Sequence, residues 1–490
     1  MIQTLDTDFE GYLTDTSNLD GGYADRVYLP ETEEEVGEIL RKCSQEKTAV
    51  TIAGAGTGLA GGSIPFGGVV LSLAKLNRII EINKEKGLAI VEAGVVLYNL
   101  HREVESQGLL YPPDPTEQGG QLGGNFATNA SGARTFKYGP TRDWITGAHV
   151  FLSSGEMLAL SRNGNRANRY SMSVESVNRT IYDIEIPRYQ MPPTSKHSAG
   201  YYAKPNMDLL DLFIGSEGTL GVVTRLALKL IRKPERLFSG IVFFESNERI
   251  FGFVDEIRER SKKNRISDTP DLNARALEFV DAHALEFIKE SYPSIPENAN
   301  GGAIWFEQER EEASEELLIS HWAEVIERYT DLSDDSWFGL SEKDQQRMRT
   351  FRHAIPSSAY EFIKAHQVQK FGTDMAVPDN CFHDMYRFYR DELDRSGLRN
   401  LTWGHIGNSH LHVNMLPENQ TQIAQAQRIS DRFVTKALQL GGTVSAEHGV
   451  GKIKTKYLKQ MYGEEGIEQM RKVKRALDPT AILGRGTMFR

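Results

Sequence analysis

The residues with the clearest chemical potential are histidines in the C-terminal part of the sequence. Four of the twelve histidines lie between residues 405 and 448. His405, His410 and His412 fall within eight residues, and Glu447-His448 follows later. Two histidines and a carboxylate form a common ligand set for divalent metals, and it leaves positions open for a substrate. The spacing favours such a site, while histidines that only satisfy hydrogen bonds in the core stay open as an alternative.

A predicted strand positions part of this cluster. From His410 onward, polar residues alternate strictly with apolar ones. Because successive side chains of a strand point to opposite faces, we expect His410, His412 and Asn414 to face a cavity together. His405 lies before this strand, on a glycine-flanked turn that can fold back toward the same face.

Glycine-rich loops are the second chemical signal. Of 44 glycines, 17 fall in residues 51–150 and four in residues 251–350. A strand over 49–53 leads into Gly56-x-Gly58-x-x-Gly61, which formally matches a dinucleotide-binding fingerprint. That fingerprint must open a helix, whereas Pro65 and more glycines follow here, so the context does not fit. A phosphate-binding nest of backbone N–H groups and a set of tight turns both stay open.

Two later stretches of small and polar residues point to a larger ligand. One runs from Pro112-Pro-Asp-Pro115 through Gly123-Gly-Asn125 to Gly132, and the other covers residues 215–224. Glycine with interspersed Asn, Thr and Ser suits a backbone that lies along a polar ligand. Three such stretches in one region predict an extended cofactor, longer than a single phosphate.

Strands and helices alternate in a way that predicts an α+β protein. Thr32 and Glu35 match a capping box, which predicts that a helix begins there. A hairpin is predicted over 149–160, with its turn at Ser154-Gly155. The other predicted strands cover 27–29, 49–53, 68–73, 88–93, 238–244 and 303–306, and two later helices cover 248–263 and about 311–329.

Loops and a domain boundary are predicted from polar and proline-containing segments. Residues 163–180 and 188–206 are rich in Pro, Asn and Ser, and we predict long surface loops there. Residues 232–235 interrupt two apolar strands with charges and a proline, which indicates a boundary between domains.

Composition excludes several classes of protein. Lys and Arg number 57 against 67 Asp and Glu, a net charge of −10, so no basic surplus points to nucleic acid. No apolar run is long enough to predict a membrane span, although peripheral membrane association stays open. The first residues predict no secretory signal. Cys43 and Cys381 are the only cysteines, which fits a reducing compartment and predicts a cytoplasmic protein.

The glycine-rich motifs resemble those of a known family. Pro112-Pro-Asp-Pro115, Gly123-Gly-Asn125, Thr128-Asn129 and Gly215-Ser-Glu-Gly-Thr-Leu-Gly221 are similar to motifs of FAD-linked oxidases of the vanillyl-alcohol oxidase (PCMH) type. The resemblance covers most of the chain. It is strongest to the branch of D-lactate dehydrogenase, the glycolate oxidase large subunit and D-2-hydroxyglutarate dehydrogenase.

This resemblance implies how FAD is held. Residues 54–58 would hold the pyrophosphate, 123–132 would pack beside the flavin, and 217–222 would contact the adenosine or ribityl portion. The first loop has no histidine for a covalent link, so non-covalent FAD is implied. The implied FAD contacts are Gly54, Ala55, Gly56, Thr57, Gly58, Pro113, Asp114, Gly123, Gly124, Asn125, Thr128, Asn129, Gly132, Tyr138, Glu217, Gly218, Gly221 and Val222.

The resemblance also implies roles for the histidine cluster. Relatives use residues that match His405, His412 and Glu447 to bind a divalent metal, here expected to be zinc or else manganese. The residue that matches His448 acts as the base in those relatives. Asn414 is a further candidate for a hydrogen bond to substrate.

Two basic residues are candidates for binding a substrate carboxylate. Phe351-Arg352-His353 resembles the arginine segment of the family, so Arg352 is expected to bind the carboxylate in a bidentate manner. Lys370 is a weaker candidate. A solvated surface charge stays open for both residues.

The sequence departs from the family pattern in three places. Asn408-Ser409-His410 replaces Asp-Gly-Asn, which leaves the ligand positions intact but allows His410 to compete as a ligand. Pro356 replaces a threonine, which points to a different substrate shape. Gly484-Arg-Gly486 replaces Asn-Pro-Gly near the end of the chain.

The resemblance implies a fold and an activity. We expect a two-subdomain FAD-binding region over 1–232, a ferredoxin-like α+β cap over 233–425, and a segment over 426–490 that returns to the flavin site. The expected reaction is FAD-dependent oxidation of a D-2-hydroxy acid such as D-lactate, glycolate or D-2-hydroxyglutarate, with an unidentified electron acceptor and a homodimer as one possible assembly. A non-redox FAD enzyme of the alkylglycerone-phosphate synthase type and a flavin subunit of an electron-transfer complex stay open as alternatives.

Overall fold

The computed structural model describes residues 2–267, 271–366 and 371–489. Lys370, one of the predicted substrate-binding residues, lies outside the described residues. The strands of the first half are β1 (Gln3–Leu5), β2 (Arg26–Leu29), β3 (Val50–Ala53), β4 (Val69–Ser72), β5 (Ile79–Asn83), β6 (Leu88–Glu92), β7 (Leu109–Leu110), β8 (Ile145–Phe151), β9 (Met157–Ser161), β10 (Ser171–Glu175), β11 (Ile181–Glu185), β12 (Val222–Lys229) and β13 (Ile231–Arg232).

The second half adds further strands, and α-helices occur throughout. The later strands are β14 (Arg236–Phe244), β15 (Ala274–Val280), β16 (Gly302–Arg310), β17 (Trp337–Gly339), β18 (Phe371–Gly372), β19 (Asn400–Gly404) and β20 (His412–Met415). The α-helices are α1 (Glu33–Glu46), α2 (Leu97–Ser106), α3 (Leu122–Thr128), α4 (Thr135–Tyr138), α5 (Leu209–Phe213), α6 (Asn247–Ser267), α7 (Ala282–Ile288), α8 (Glu315–Tyr329), α9 (Glu342–His366), α10 (Phe382–Ser396), α11 (Gln420–Gln439) and α12 (Thr455–Leu477).

A four-stranded sheet carries the first glycine loop. Its strand order is β1-β2-β4-β3, in which β2, β4 and β3 are parallel. β3 runs directly into residues 54–58, and the C-terminal segment pairs with the free edge of the same strand. Val50 donates its N–H to Ile482 O at 2.8 Å and accepts from Gly484 N–H at 2.9 Å. The end of the chain therefore closes the sheet beside the first glycine loop.

A five-stranded antiparallel sheet carries the other glycine segments. Its order is β5-β6-β12-β8-β9. Gly221 lies against β8, since a Cβ at this position would come within 2.5 Å of Val150, and β12 begins at the next residue. Gly123 opens α3 against Ala93, where a Cβ would approach to 2.9 Å. These close approaches explain why both positions need glycine.

A seven-stranded antiparallel sheet holds the histidine segment. Its order is β17-β14-β16-β15-β19-β20-β18. Helices α6 and α8 cover one face, where Phe306 stacks on the fully buried Trp322 with ring centroids 3.9 Å apart. Because β19 and β20 are neighbours near one edge, the turn between them brings His405 beside His412.

The predicted mixed α+β architecture is confirmed, as are most individual elements. Thr32 caps α1 by accepting from Glu35 N–H at 3.2 Å, and the hairpin turns at Ser154-Gly155 between β8 and β9. The division of the chain at 232/233 and 425/426 stays a prediction.

Two loop predictions were wrong. Residues 163–180 contain β10, whose alternating Ser, Met, Ser, Val and Glu pair it with β11. Residues 188–206 lack regular structure, yet Lys196, Ser198 and Tyr201 are buried, so this segment is no surface loop. Its polar groups have internal partners, which explains how a polar sequence can be buried.

Among the helices of the described residues, none combines the length and apolar character needed to cross a bilayer.

The stacked pair beneath the seven-stranded sheet gives a stability prediction. We expect Phe306→Ala to lower the free energy of unfolding by about 3–5 kcal/mol, because it leaves a cavity against Trp322 in a fully buried layer. Leu317→Ala is the control, since Leu317 lies on α8 but is half exposed. Urea unfolding of both variants measures the difference, and equal midpoints would contradict the packing argument.

Candidate functional site

A single cleft of about 920 Å³ joins the glycine segments to the histidine cluster. Thirteen of the predicted FAD contacts line it, and so do Arg352, Asn414, His448 and the three predicted metal ligands. The cofactor positions on its wall are Gly54, Ala55, Gly56, Thr57, Gly58, Gly123, Gly124, Asn125, Thr128, Glu217, Gly218, Gly221 and Val222. Residues more than 300 positions apart in sequence thus meet in one cavity.

Five predicted cofactor contacts do not line this cleft, namely Pro113, Asp114, Asn129, Gly132 and Tyr138. Polar groups of these residues already form ion pairs or hydrogen bonds with other protein groups. Asp114 pairs with Arg134 at 3.1 Å, and Tyr138 donates its hydroxyl hydrogen to Glu309. Asn129, at φ 51°, accepts from Arg142 N–H at 2.9 Å. Contact of these residues with a cofactor stays a prediction.

The glycines of the cleft wall leave room for a ligand to lie directly against the main chain. A Cβ added at Gly124 would meet no atom within 4 Å, and one at Gly54 or Gly58 would meet its nearest neighbour at 3.6 Å. Gly56 has φ +71°, a backbone conformation that residues other than glycine rarely adopt. The loop over 54–58 and the start of α3 therefore present backbone to the cavity.

The histidine cluster lies at the end of the cleft beside β19 and β20. One ligand atom from each of His405, His410, His412 and Glu447 falls within 4.8 Å of the others. Glu447 Oε2 lies 3.1 Å from His405 Nε2 and 3.5 Å from His412 Nε2. His410 Nδ1 is 3.9 Å from the same oxygen. The three histidines and one carboxylate thus surround a common point.

The other oxygen of Glu447 binds a buried lysine. Lys196 has no exposed surface, and its ammonium group donates to Glu447 Oε1 and to Gly132 O. Ser131 also donates to Oε1, at 2.8 Å. Burial alone would raise the pKa of Glu447, but His405 and Lys196 hold the pKa well below its usual range. The carboxylate is therefore ionised at neutral pH.

A second carboxylate orients His405. Glu278 Oε1 accepts from His405 Nδ1 at 2.7 Å, while its Oε2 accepts from Arg352 at 3.0 and 2.7 Å. Burial would raise the pKa of Glu278, but Arg352 and His405 lower it. Burial lowers the pKa of His405, yet Glu278 and Glu447 raise it above the usual value. Each ring nitrogen of His405 thus faces a carboxylate oxygen, Nδ1 that of Glu278 and Nε2 that of Glu447.

A third buried carboxylate, Asp374, fixes the segment that bears Glu447 and His448. It accepts from their backbone N–H groups at 3.1 and 3.0 Å and from Lys454 Nζ at 2.6 Å. Burial opposes its charge, but His448 and Lys454 hold the pKa of Asp374 well below its usual value. The Asp374 carboxylate therefore aligns Glu447 and His448 through main-chain bonds.

His448 faces the open part of the cleft. About a quarter of its side chain is exposed, and its Nδ1 lies 3.6 Å from Asp374 Oδ2. Its ring stacks on His412, with an interplanar angle of 10° and centroids 5.3 Å apart. Burial lowers the pKa of His448 to about 4, so the imidazole is neutral at pH 7 and can accept a proton.

Arg352 lies on α9, at the point where one backbone hydrogen bond of the helix is missing. Pro356 is inside this helix and has no N–H for the carbonyl of Arg352, four residues earlier. The bonds to Glu278 use Nε and Nη2, so Nη1 remains to meet a ligand. Asn414 also reaches the cleft, and its Oδ1 has no hydrogen-bond partner among the described residues.

Lys196, Glu278 and Asp374 were missed by the sequence reasoning. Lys196 lies in a segment predicted to be a surface loop, and Glu278 lies in a strand that was not predicted. Asp374 stands in the same short motif as Lys370, but nothing in that motif marks the aspartate as buried. The signal that the sequence offered for their burial was that each of these charged residues has a small or apolar neighbour.

Comparison with known protein families matches two regions of the chain. The family described as FAD binding domain matches residues 24–161. The family described as FAD linked oxidases, C-terminal domain, matches residues 264–488. Together they cover the glycine segments around residues 54–62 and 123–132 and the whole histidine cluster, whereas residues 215–224 lie between the two matches.

Curated relatives match over nearly the full chain. The chain is 31% identical to a D-lactate dehydrogenase of Anaerostipes hadrus, covering 92% of this chain and 87% of that protein. It is 29% identical to the glycolate oxidase subunit GlcD of Bacillus subtilis, covering 95% and 89%. It is also 29% identical to a D-2-hydroxyglutarate dehydrogenase of Xanthomonas citri pv. viticola, covering 94% and 89%.

A solved structure shares the fold. The chain superposes on an alkyldihydroxyacetonephosphate synthase with a TM-score of 0.67 and 15% sequence identity, covering 98% of this chain and 82% of that one. At this identity the likeness concerns the fold alone.

Glu217 connects the glycine segment to the loop after His448. Its carboxylate accepts from the N–H groups of Val450 and Gly451, both at 2.7 Å. Burial raises the pKa of Glu217 to about 7, although those two donors and, more weakly, Lys454 and Lys452 act to lower it. The folded chain therefore holds the proton of Glu217 to higher pH than the unfolded chain does.

This raised pKa makes stability depend on pH. The contribution of Glu217 is complete below its ordinary pKa and is lost as pH rises through about 7. We expect Glu217→Gln to reduce the drop in thermal midpoint between about pH 5 and about pH 8. The exposed Glu46→Gln serves as control and should keep the parent's dependence. An unchanged drop in Glu217→Gln would contradict the assignment.

Proposed function

This chain belongs to the family of FAD-linked oxidases, and on that premise we propose that it oxidises a D-2-hydroxy acid to the 2-oxo acid. The observation that carries the proposal is the cleft itself, which joins a glycine-lined wall to a cluster of three histidines and a glutamate. The names of the relatives support the substrate class, since they include D-lactate and D-2-hydroxyglutarate dehydrogenases.

The glycine-lined wall suits FAD bound without a covalent link. The open space over Gly124 and Gly54 lets a ligand lie against the main chain, and the loop over 54–58 offers N–H groups for phosphates. When bound, FAD supplies the two-electron redox chemistry of the reaction. The residues around it supply position and exclude water.

The histidine cluster suits a divalent metal, for which His405, His412 and Glu447 would be ligands. Each offers a nitrogen or oxygen of the kind that zinc and manganese bind, and the carboxylate is ionised. Such an ion would supply Lewis acidity toward the hydroxyl of the substrate. The two carboxylates favour a proton on His405, and a ligand nitrogen must be unprotonated, so metal affinity should fall as pH is lowered.

His448 is the proposed base for the substrate hydroxyl. It is neutral at pH 7 because burial lowers its pKa, it reaches the open cleft, and Asp374 holds its backbone N–H. A neutral imidazole in this position can take the hydroxyl proton as the carbon that bears the hydroxyl gives up a hydride, for which FAD would be the two-electron acceptor.

Arg352 and Asn414 are proposed to hold the substrate. The salt bridge with Glu278 fixes the Arg352 guanidinium at the cleft wall, from which it can bind a carboxylate. The unpartnered Oδ1 of Asn414 can accept a hydrogen bond from a protonated group. Together these contacts would orient the reacting carbon relative to the flavin.

The decisive experiment is an anaerobic screen of hydroxy acids against the purified yellow holoenzyme. We expect a D-2-hydroxy acid to bleach the flavin absorbance, and its L-enantiomer to leave the absorbance unchanged. Dialysis against a chelator should abolish the bleaching, and added Zn²⁺ or Mn²⁺ should restore it. If every 2-hydroxy acid leaves the flavin oxidised, the proposed reaction is wrong. If metal-free enzyme is reduced at the original rate, the metal has no role.

The glycine-lined wall gives a separate prediction for cofactor binding. A methyl group at Gly124 meets no protein atom, so Gly124→Ala should fold normally but intrude on the bound ligand. We expect a cost of about 1–3 kcal/mol in FAD binding, or roughly 5- to 150-fold in Kd. Gly11→Ala is the matched control, because it also meets no atom within 4 Å and lies outside the cleft. Equal FAD affinity in both variants would refute the assignment.

A further inference from the structure

His410 is a buried histidine that the proposed reaction does not use. Its side chain has no exposed surface, and neither ring nitrogen has a hydrogen bond of good geometry to a described residue. Nε2 does lie 3.4 Å from Asp374 Oδ1, so the nitrogen that most needs a partner is Nδ1, which lies 3.9 Å from Glu447 Oε2. A polar group left buried without a partner costs about 1–3 kcal/mol. This cost calls for a partner that belongs at the site.

His405 and His412 show how the other two histidines are arranged. His405 Nδ1 lies 2.7 Å from Glu278 Oε1, and His412 Nδ1 lies 3.2 Å from Thr373 O. In each case an outer acceptor engages one ring nitrogen and the other nitrogen faces Glu447. Metal-binding histidines typically have such an outer partner, because it fixes the ring and its tautomer.

His410 repeats this arrangement with the two ring nitrogens exchanged, so that Nε2 faces the outer acceptor and Nδ1 faces Glu447. Its Nε2 lies 3.4 Å from Asp374 Oδ1, and its Nδ1 lies 3.9 Å from Glu447 Oε2. The ring centroid is 4.6 Å from that of His412 and 5.3 Å from that of His405. Three imidazole nitrogens therefore converge on one carboxylate oxygen, each ring having an acceptor behind it.

We propose that Nδ1 of His410 is a fourth protein ligand of the metal ion at His405, His412 and Glu447. This inference rests on the metal site of the proposed function. A direct contact with substrate does not explain His410, because the residue is absent from the cleft wall that His405, His412 and Glu447 line. Its Nδ1 is buried and lies 3.9 Å from Glu447 Oε2, the oxygen that the other two histidines also face.

A fourth ligand restricts the kind of metal. A hydroxy acid that binds through its hydroxyl and one carboxylate oxygen needs two coordination positions. Four protein ligands complete a tetrahedral zinc site, whereas an octahedral ion keeps two positions open. The site therefore favours Mn²⁺ or another six-coordinate divalent ion over tetrahedral Zn²⁺.

Counting imidazole ligands in the unaltered protein tests the proposal. The holoenzyme is freed of metal with a chelator, loaded with one equivalent of Cu²⁺, and studied by pulsed electron paramagnetic resonance, which resolves coupling to the remote nitrogens of bound imidazoles. We expect three coupled imidazoles. Two imidazoles, or failure to bind Cu²⁺ at this site, would overturn the proposal.

Mn²⁺ affinity provides a second measurement, followed through the resonance signal of the free ion. His410→Asn should weaken Mn²⁺ binding by more than about 100-fold, above the roughly 10- to 100-fold loss expected from removing only an outer partner. His149→Asn is the control, because His149 bonds Glu33 on α1 and is no member of the cluster. Equal affinities in His410→Asn and the control would overturn the proposal.

The two proposals can fail separately. If a D-2-hydroxy acid reduces the flavin in a metal-dependent manner but only two imidazoles are counted, the reaction stands and the fourth ligand is wrong. If three imidazoles bind the ion but no hydroxy acid reduces the flavin, the ligand set stands and the proposed reaction is wrong.

Discussion

The structure depends on burying the charge of Glu447. An ionised carboxylate inside a protein is costly unless it is paired and hydrogen-bonded. Here Lys196 comes from the segment before β12, His405 follows β19 and Ser131 follows α3, and all three contact this carboxylate. Lys196 and Ser131 belong to the first half of the chain, and His405 and Glu447 belong to the second. Pairing this one charge therefore requires the two halves to meet, and the cleft forms where they do.

Much of the fold follows from local patterns. The capping box at Thr32, the apolar strands and the hairpin at Ser154-Gly155 are encoded within a few residues of each other, so the sequence alone predicts them. The burial of Lys196 could not be predicted in this way, because its side chain looks solvated until Glu447, far along the chain, is placed beside it. Strand β10 differs, since it pairs with the neighbouring β11 and its alternating residues are a local signal among polar ones.

In the candidate site, too, some features follow from local sequence patterns and others depend on residues far along the chain. The spacing of His405, His410 and His412 predicts that they lie close together, and the structure brings them within one cluster with Glu447. The carboxylates behind the rings were not predictable, because Glu278 comes from a different strand and is more than 120 residues away from His405. Outer partners depend on sheet order, which periodicity along the sequence does not encode.

The pairing of Val50 with residues 482–484 has a consequence for how the protein is made. During synthesis on the ribosome, β3 emerges early but keeps one edge open until the segment after α12 has left the exit tunnel. The wall beside residues 54–58 is thus incomplete until residues 482–484 have been made. A chain interrupted before those residues cannot present the finished cavity to a ligand, because one edge of β3 stays unpaired.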